Sequence, residues 1–201
     1  PKRIIAREQS ETIHIDTGII QCEIPRKGSA LIRSISRNGR ISVQHGKLVL
    51  ITQDNPETSE PVSHDSFESN IHTVILEQNG PLRAVIKFEG KHANLNKREW
   101  LPFIIRLYFY EGSEAIRMMH TIIYDGDEHK DFIKGLGIRF SVPLRDALHN
   151  RYVRFSGDNK GVFSEAVRGL TGLRRDPGSE IKAAQLAGRA TPPLSSFPEV
   201  V

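Results

Sequence analysis

Apolar and polar residues alternate along most of this chain, and this period of two predicts a protein built mainly from β-strands. The runs are short, and turn-forming pairs such as Asn38-Gly39 and Asn79-Gly80 separate them. Short strands at regular spacing are typical of an all-β fold, here an antiparallel β-sandwich with few short helices. The predicted strands cover residues 12–16, 19–24, 31–36, 47–53, 71–78, 82–89, 101–110, 115–124, 136–142 and 152–155.

One hairpin can be predicted to the level of its register. With residues 112–113 at its tip, Phe103 lies opposite Ile122 and Ile105 lies opposite His120. Side chains at alternate positions then share one face, which the pattern predicts to be core. That face carries Leu101, Phe103, Ile105, Leu107, Phe109, Ile116, Met118, Ile122 and Tyr124.

Three other segments break the alternation. Residues 53–70 form the longest polar stretch, which predicts a loop that is either mobile or turned toward a ligand. A short helix is predicted at residues 144–149, and another at residues 179–189 with Ser179 as its N-cap.

The amino-acid composition changes in the last part of the sequence. Residues 176–201 are rich in small residues and proline, which is typical of a connector. We therefore predict a sandwich domain over residues 1–175 and a connector that leads to a further domain. The chain begins at Pro1 rather than Met, which agrees with a piece of a larger protein.

Composition narrows the class of function. The formal net charge of +4 suits an anionic ligand such as a uronic-acid glycan. A nucleic-acid binder needs clustered basic residues, which this sequence lacks. The single Cys22 excludes an internal disulfide framework, and no apolar run reaches the roughly 18 residues of a membrane span.

The segment TIIYDGDEHKDFIKGLGIRF places several carboxylates beside a histidine and a lysine. A calcium loop of the EF-hand type is excluded, because Lys130 and Leu136 stand where glycine and glutamate are required. His129 has no partner at a zinc-ligand spacing, so we expect no metal and no cofactor. The segment is then either a hairpin turn at Asp125-Gly126 or a loop that contacts a ligand.

Other side chains have two interpretations each. His120, among apolar neighbours, is either a satisfied core histidine or a base facing a cleft. Trp100 begins a strand, where it either packs on the sheet or stacks on a sugar. Arg168, Arg174 and Arg175 lie near glycines in EAVRGLTGLRRD, and they either bind a carboxylate or pair with nearby acids.

Long stretches of the chain resemble a known family. The run REWLPFIIRLYFYEGSEAIRMMHTIIYDGDEHKDFIKGLGIRFSVPLRD, with RYVRFSG and EAVRGLTGLRRDPG after it, resembles the exo-rhamnogalacturonan lyases, also called YetA-like (polysaccharide lyase family 26). The earlier IHIDTGIIQCEIPRKGSALIRSISRNGR is similar to the start of the same family's central β-sandwich. The resemblance implies a supersandwich-like domain that lies between a small barrel and a C-terminal α/α toroid.

The resemblance also implies β-elimination at galacturonate in the pectin backbone. This reaction needs a group that neutralises the galacturonate carboxylate, a base for the C5 proton and an acid for the leaving O4. A large part of the site is expected on the absent toroid. The candidates here are Arg168, Arg174, Arg175 and Trp100 for substrate binding, and Tyr124, His129 and Lys130 for catalysis.

Three hypotheses remain open at this point. The chain is part of a lyase, a non-catalytic glycan-binding or structural module, or a relative with another activity such as hydrolysis. The expected partners are an acidic rhamnogalacturonan chain and the α/α domain of the same parent, without nucleic acid or membrane. A polymeric substrate favours a secreted or periplasmic protein, whereas short imported oligosaccharides favour the cytoplasm.

Overall fold

A computed structural model describes residues 5–56, 62–147, 150–156, 162–166, 178–189 and 191–192. The chain divides into two compact units, Pro1–Pro143 and Leu144–Val201. The predicted sandwich of residues 1–175 spans both units, and its boundary with a connector stays a prediction.

The first unit is a ten-stranded sheet in the described residues, and the second holds a hairpin and one helix. The strands of the first unit are β1 Ile5–Glu8, β2 Thr12–Asp16, β3 Ile20–Pro25, β4 Ile32–Arg37, β5 Arg40–Gln53, β6 His64–Asn79, β7 Arg83–Ala93, β8 Glu99–Tyr110, β9 Arg117–Ile122 and β10 Phe132–Ser141. The second unit contains β11 Tyr152–Ser156, which pairs with β12 Val162–Ala166, and helix α1 Ser179–Leu186.

Strand β5 organises the sheet, because it has three antiparallel partners. β10 pairs with one edge of β5 over Gln44–Gln53, while β4 and then β6 occupy the other edge. Strands β1–β4 therefore diverge from β6–β9 at β5. All strand pairings in the described residues are antiparallel, and this confirms the all-β, sandwich-like fold.

The core lies between the two diverging groups of strands. Ile15 and Cys22 from β2 and β3 share one buried cluster with Phe88, Phe103 and Ile105 from β7 and β8. Each of the five is at most 2% exposed. Burial raises the pKa of the Cys22 thiol to about 12, so this cysteine behaves as a small apolar residue.

Hydrogen bonds between the two groups fix their separation at both ends. At one end, the Gly112 N–H donates to the carbonyl of Thr17 over 2.8 Å, and the Thr17 hydroxyl donates to the carbonyl of Ser113 over 2.8 Å. At the other end, the Ser69 hydroxyl donates to the carbonyl of Ser29. Buried polar groups of this kind are satisfied locally, so they tie loops to the core.

The predicted register of β8 and β9 is confirmed, with Phe103 opposite Ile122 and Ile105 opposite His120. The prediction that Met118, Ile122 and Tyr124 belong to the core is wrong, because they are 38%, 40% and 49% exposed. The reason is that β9 is an edge strand, so one side of its core-facing residues lacks a neighbour.

Several other predictions need correction. The polar stretch 53–70 is shorter as a loop, because β6 begins at His64. Residues 144–147 are not helical, and 148–149 lie outside the described residues. The predicted helix at 179–189 is present as α1, but it ends at Leu186. The carbonyl of Gly178 accepts the first helical hydrogen bond, so Ser179 is not the N-cap. No helix in the described part of the chain could span a membrane.

Two histidines lie against the aromatic core. His92 is fully buried, and its ring centroid is 6.5 Å from that of the half-buried His120. His92 Nδ1 lies 2.8 Å from the carbonyl of Leu101, which can only accept, so Nδ1 carries the hydrogen. The Nε2 atoms of both rings are buried and have no hydrogen-bond partner among the described residues. The structure therefore supports neither a satisfied core histidine nor a base that faces a cleft, because Nε2 of His120 is buried without a partner among the described residues.

Burial lowers the pKa of both imidazoles, and the neighbouring His92 lowers that of His120 further. As the pH drops through 6.5, the ordinary pKa of histidine, the unfolded chain therefore binds more protons than the folded chain. The free energy of unfolding should fall over the same range. We expect His120→Gln to reduce this fall between about pH 7 and 5, measured by urea unfolding. The control variant His129→Gln, at an exposed histidine, should retain the fall seen in wild type. Equal slopes of unfolding free energy against pH in wild type and both variants would contradict the assignment of this fall to His120.

Candidate functional site

The segment 123–131, which joins β9 to β10, is called here the connection. It is not a hairpin, because β9 pairs with β8 whereas β10 pairs with β5. The predicted turn at Asp125-Gly126 is therefore wrong. Gly126 is also absent from the described residues with a positive φ, which a two-residue hairpin tip of the expected type would require.

Asp131 anchors the connection from inside. Its side chain is 5% exposed, and Oδ2 accepts hydrogen bonds from Arg98 over 2.6 Å and from the Asp127 N–H over 2.8 Å. Burial raises the pKa of this carboxyl, but the bonds from Arg98 and Asp127 outweigh burial and bring the pKa below its ordinary value of 3.8. Asp131 is thus a charged structural group at neutral pH.

Asp125 holds the beginning of β8. Leu101 has a φ of 51°, a left-handed conformation that is unfavourable for a leucine. Its N–H donates to Oδ1 of Asp125 over 2.7 Å, and its carbonyl faces His92 Nδ1. Hydrogen bonds at both the N–H and the carbonyl therefore hold Leu101 in its left-handed conformation. The bond to the N–H occupies Oδ1 of Asp125.

Trp100 lies beneath the connection and is 3% exposed. The Arg98 guanidinium lies 5.3 Å from the ring centroid, and Phe67 and Tyr124 make edge contacts at 6.2 and 5.8 Å. Gly126 closes another side of the ring. Stacking on a sugar, as predicted for Trp100, would require this packing to open, so the ring serves here as the floor of the connection.

Tyr124 extends from the end of β9 and is half exposed. Its hydroxyl donates to the carbonyls of Asp127 and Asp131, both at 3.2 Å. Burial, followed by the charges of Asp131, Asp127 and Glu128, raises the pKa of the phenol. The phenol is therefore protonated at neutral pH, which suits a proton donor better than a base.

His129 and Lys130 lie at the outer tip of the connection. Their side chains are 83% and 79% exposed. Nε2 of His129 lies 3.5 Å from a carboxylate oxygen of Glu128, and Nζ of Lys130 lies 3.6 Å from one of Asp127. Both groups are thus accessible to a ligand that approaches from outside the first unit.

The three arginines predicted to bind the substrate carboxylate cannot be placed. Arg168, Arg174 and Arg175 lie outside the described residues. Their role stays a prediction.

A polar cluster beside the connection was missed by sequence reasoning. Asn70 lies opposite Lys91 in the sheet, and its amide donates to Glu99 on the next strand. His72 Nε2 is 3.9 Å from Glu99, and Lys91 Nζ is 3.4 Å from Oδ2 of Asp125. Only strand register brings these residues together, so sequence spacing carries no signal of the cluster.

This cluster and the connection together offer acid, base and cationic groups on one surface. An imidazole beside a carboxylate can exchange protons, and an ammonium group can neutralise a carboxylate ligand. In the described part of the chain, no three histidine, cysteine or acidic side chains converge to hold a metal ion.

The packing of Gly126 on Trp100 can be tested by adding one methyl group. A Cβ at Gly126 would lie 2.5 Å from Cζ3 of Trp100 and 3.0 Å from Oδ2 of Asp131. We expect Gly126→Ala to lower the free energy of unfolding by about 1–3 kcal/mol, measured in urea. Gly137→Ala, where no atom lies within 4 Å, is the control and should stay within about 0.5 kcal/mol of wild type. Equal stabilities of the two variants would contradict the close packing.

Comparison with known proteins agrees with this architecture. The sequence matches the model of the PcRGLX-like protein central beta sandwich domain over residues 4–201. It is also 39% identical over 172 residues to "Uncharacterized protein YetA" of Bacillus subtilis (strain 168). That match covers 84% of this chain and 20% of the relative, so the chain spans about a fifth of the relative's length. The chain belongs to the PcRGLX-like protein family and corresponds to its central β-sandwich domain.

Proposed function

We propose that this chain is the β-sandwich portion of a pectin-degrading exo-rhamnogalacturonan lyase and contributes one side of an inter-domain cleft. Membership of the PcRGLX-like family is the observation that carries the proposal. The chain spans only 20% of its relative YetA, which leaves room for the remaining groups of a cleft on other domains. The 201-residue chain alone is then expected to be inactive.

The proposed reaction is β-elimination at galacturonate. A base removes the proton from C5, the electron pair forms the C4–C5 double bond, and the C4–O4 bond breaks as an acid protonates O4. A cation beside the galacturonate carboxylate makes the C5 proton more acidic. No water is consumed, so one product carries an unsaturated sugar end.

The described residues suit these tasks unequally. Tyr124 suits the acid, because the raised pKa keeps its hydroxyl protonated. Lys91 suits the cation, since its side chain is 38% exposed and, among the described residues, its one ion-pair partner is Asp125. His129, Lys130 and His72 are the accessible candidates for the base.

The exposed apolar residues of the edge strand β9 favour the packing of a neighbouring domain at this end of the sandwich. An edge strand normally has one apolar face, but both faces of β9 carry exposed apolar residues. Met118 and Ile122 point to the core side, whereas Met119 on the opposite face is 47% exposed and Ile123 just beyond the strand is 52% exposed. We propose that the α/α domain of the parent chain covers β9, which would bring its groups beside the connection.

A second candidate is a non-catalytic glycan-binding or structural module. The exposure of His129 and Lys130 favours it, because a general base usually works in a site that excludes water. In that case these side chains contact a glycan or solvent, and all chemistry belongs to other domains.

The parent protein decides between the candidates when it is given rhamnogalacturonan oligosaccharides. We expect products whose new double bond absorbs ultraviolet light. We also expect His129→Ala and Lys91→Ala to lower kcat/KM by about 100-fold or more, because a general acid–base group and a group that stabilises developing charge each contribute this much. Arg168→Ala tests the predicted carboxylate ligand in the same way.

Lys134→Ala is the matched control, because Lys134 is exposed on β10 outside the connection. Wild-type rates in all the variants, with unsaturated products, would leave the reaction in place but remove these residues from the site. Saturated product ends would instead establish hydrolysis and contradict the lyase proposal.

A further inference from the structure

A second polar recess lies on the outer face of β1–β4, away from the connection. It encloses about 460 Å³, which is within the range of small-ligand sites. Its lining shares no residue with the connection or with the cluster around Lys91. The residues that line it are Arg7, Gln9, His14, Ile15, Asp16, Gln21, Cys22, Glu23, Ser34 and Ser36.

Strand register explains why the recess is polar. Directly opposed residues on neighbouring strands form two rows across the sheet. Alternate residues such as Ile15 and Cys22 point to the core, so the rows point outward. The first row is Arg7, His14, Glu23 and Ser34, and the second is Asp16, Gln21 and Ser36.

Both carboxylates of the recess are already engaged. Asp16 accepts hydrogen bonds from the Gly18 N–H at 2.7 Å and from the Gln21 amide at 3.3 Å. Glu23 forms an ion pair with Arg33 at 2.6 Å. These contacts reduce the capacity of the two acids to attract or bind a cation.

Arg7 differs from the other charged groups of the recess. Its side chain is exposed and has no hydrogen-bond or ion-pair partner within the described residues. His14 Nε2 lies 3.0 Å from the Thr12 hydroxyl, so this ring is already positioned. Among the described residues that line the recess, the unpaired guanidinium is therefore that of Arg7, and a guanidinium binds a carboxylate through two parallel hydrogen bonds.

We propose that this recess binds an oligosaccharide that carries carboxylate groups. Arg7 binds one carboxylate, while the hydroxyls of Ser34 and Ser36 and the amides of Gln9 and Gln21 bind sugar hydroxyls. Hydroxyl and amide groups both donate and accept, as sugar hydroxyls do. A polyphosphate chain fits less well, because it offers no hydroxyl groups to the serines and amides of the recess.

This site would hold an acidic glycan on the sandwich without taking part in bond cleavage. It goes beyond the lyase proposal and does not depend on it. A polymer bound here and in a cleft at the connection would be held at two points, which raises its effective concentration at the second site.

The test is titration of the 201-residue chain with a sodium oligogalacturonate, followed by calorimetry and by amide chemical shifts. We expect saturable binding, with shifts at His14, Gln21 and Ser34. Arg7→Gln should weaken binding about tenfold or more, which is the effect of losing one charge-assisted pair. The same oligosaccharide with its carboxylates reduced to alcohols should bind wild type about tenfold more weakly.

Two further variants make the result specific. Gln21→Ala should weaken binding several-fold, and a dispersed amide spectrum checks that each variant is folded. Arg40→Gln is the matched control, because Arg40 is exposed on β5 outside the recess, and it should bind as wild type does. Absence of binding to wild type, or equal binding by Arg7→Gln, would overturn the proposal. Shifts confined to Lys91 and Tyr124 would also overturn it, while leaving the lyase proposal intact.

Discussion

The burial of Trp100 beneath the connection is the interaction on which this end of the molecule depends. The chain must leave the edge strand β9 and reach β10 beside β5, so the connection crosses the end of the sandwich. The apolar ring of Trp100 lies beneath it, and Arg98, which lies beside that ring, donates one charge-assisted hydrogen bond to Asp131. Arg98 is 45% exposed and Asp131 is 5% exposed, so the pair adds little net stability, but it fixes geometry because Asp131 without Arg98 would be a buried unpaired charge.

The same interaction determines what the candidate site can do. Asp125 and Asp131 are committed to backbone and arginine contacts, so neither is free to act as a base. Among the described residues, the accessible candidates are Tyr124, His129 and Lys130, together with Lys91 and His72 on the adjoining sheet face. The structural acids therefore lie on the inner side of the connection, and the accessible polar groups lie on its outer side.

The sequence predicted local features well and non-local ones poorly. Strand β2 and the register of β8 with β9 followed from alternation and one turn, because both depend on residues close in the chain. The start of β6 reads as a polar loop, yet Phe67 and Ser69 are buried there and Ser69 is satisfied by the distant Ser29. The family and the sandwich-like fold were also predicted, and both are confirmed.

The candidate site likewise depends on non-local strand pairing that the sequence did not predict. Asp125-Gly126 has the composition of a hairpin tip, but no local rule reveals that β10 pairs with β5 instead of β9. The approach of Lys91 to Asp125 likewise arises only after β6, β7 and β8 have aligned. Long-range pairing of this kind depends on the whole core, which is why spacing along the sequence does not encode it.

The central claim is that the connection is a fixed platform on Trp100. Amide hydrogen exchange tests it directly, because the N–H groups of Leu101, Asp127 and Asp131 each donate within or to the connection. The account predicts that these amides exchange as slowly as those of central strands in wild type. In Arg98→Met, which keeps the stem and removes the charge, the Asp127 and Asp131 amides should exchange much faster. Exchange of all three amides at the rate of an unstructured peptide in wild type would contradict the claim.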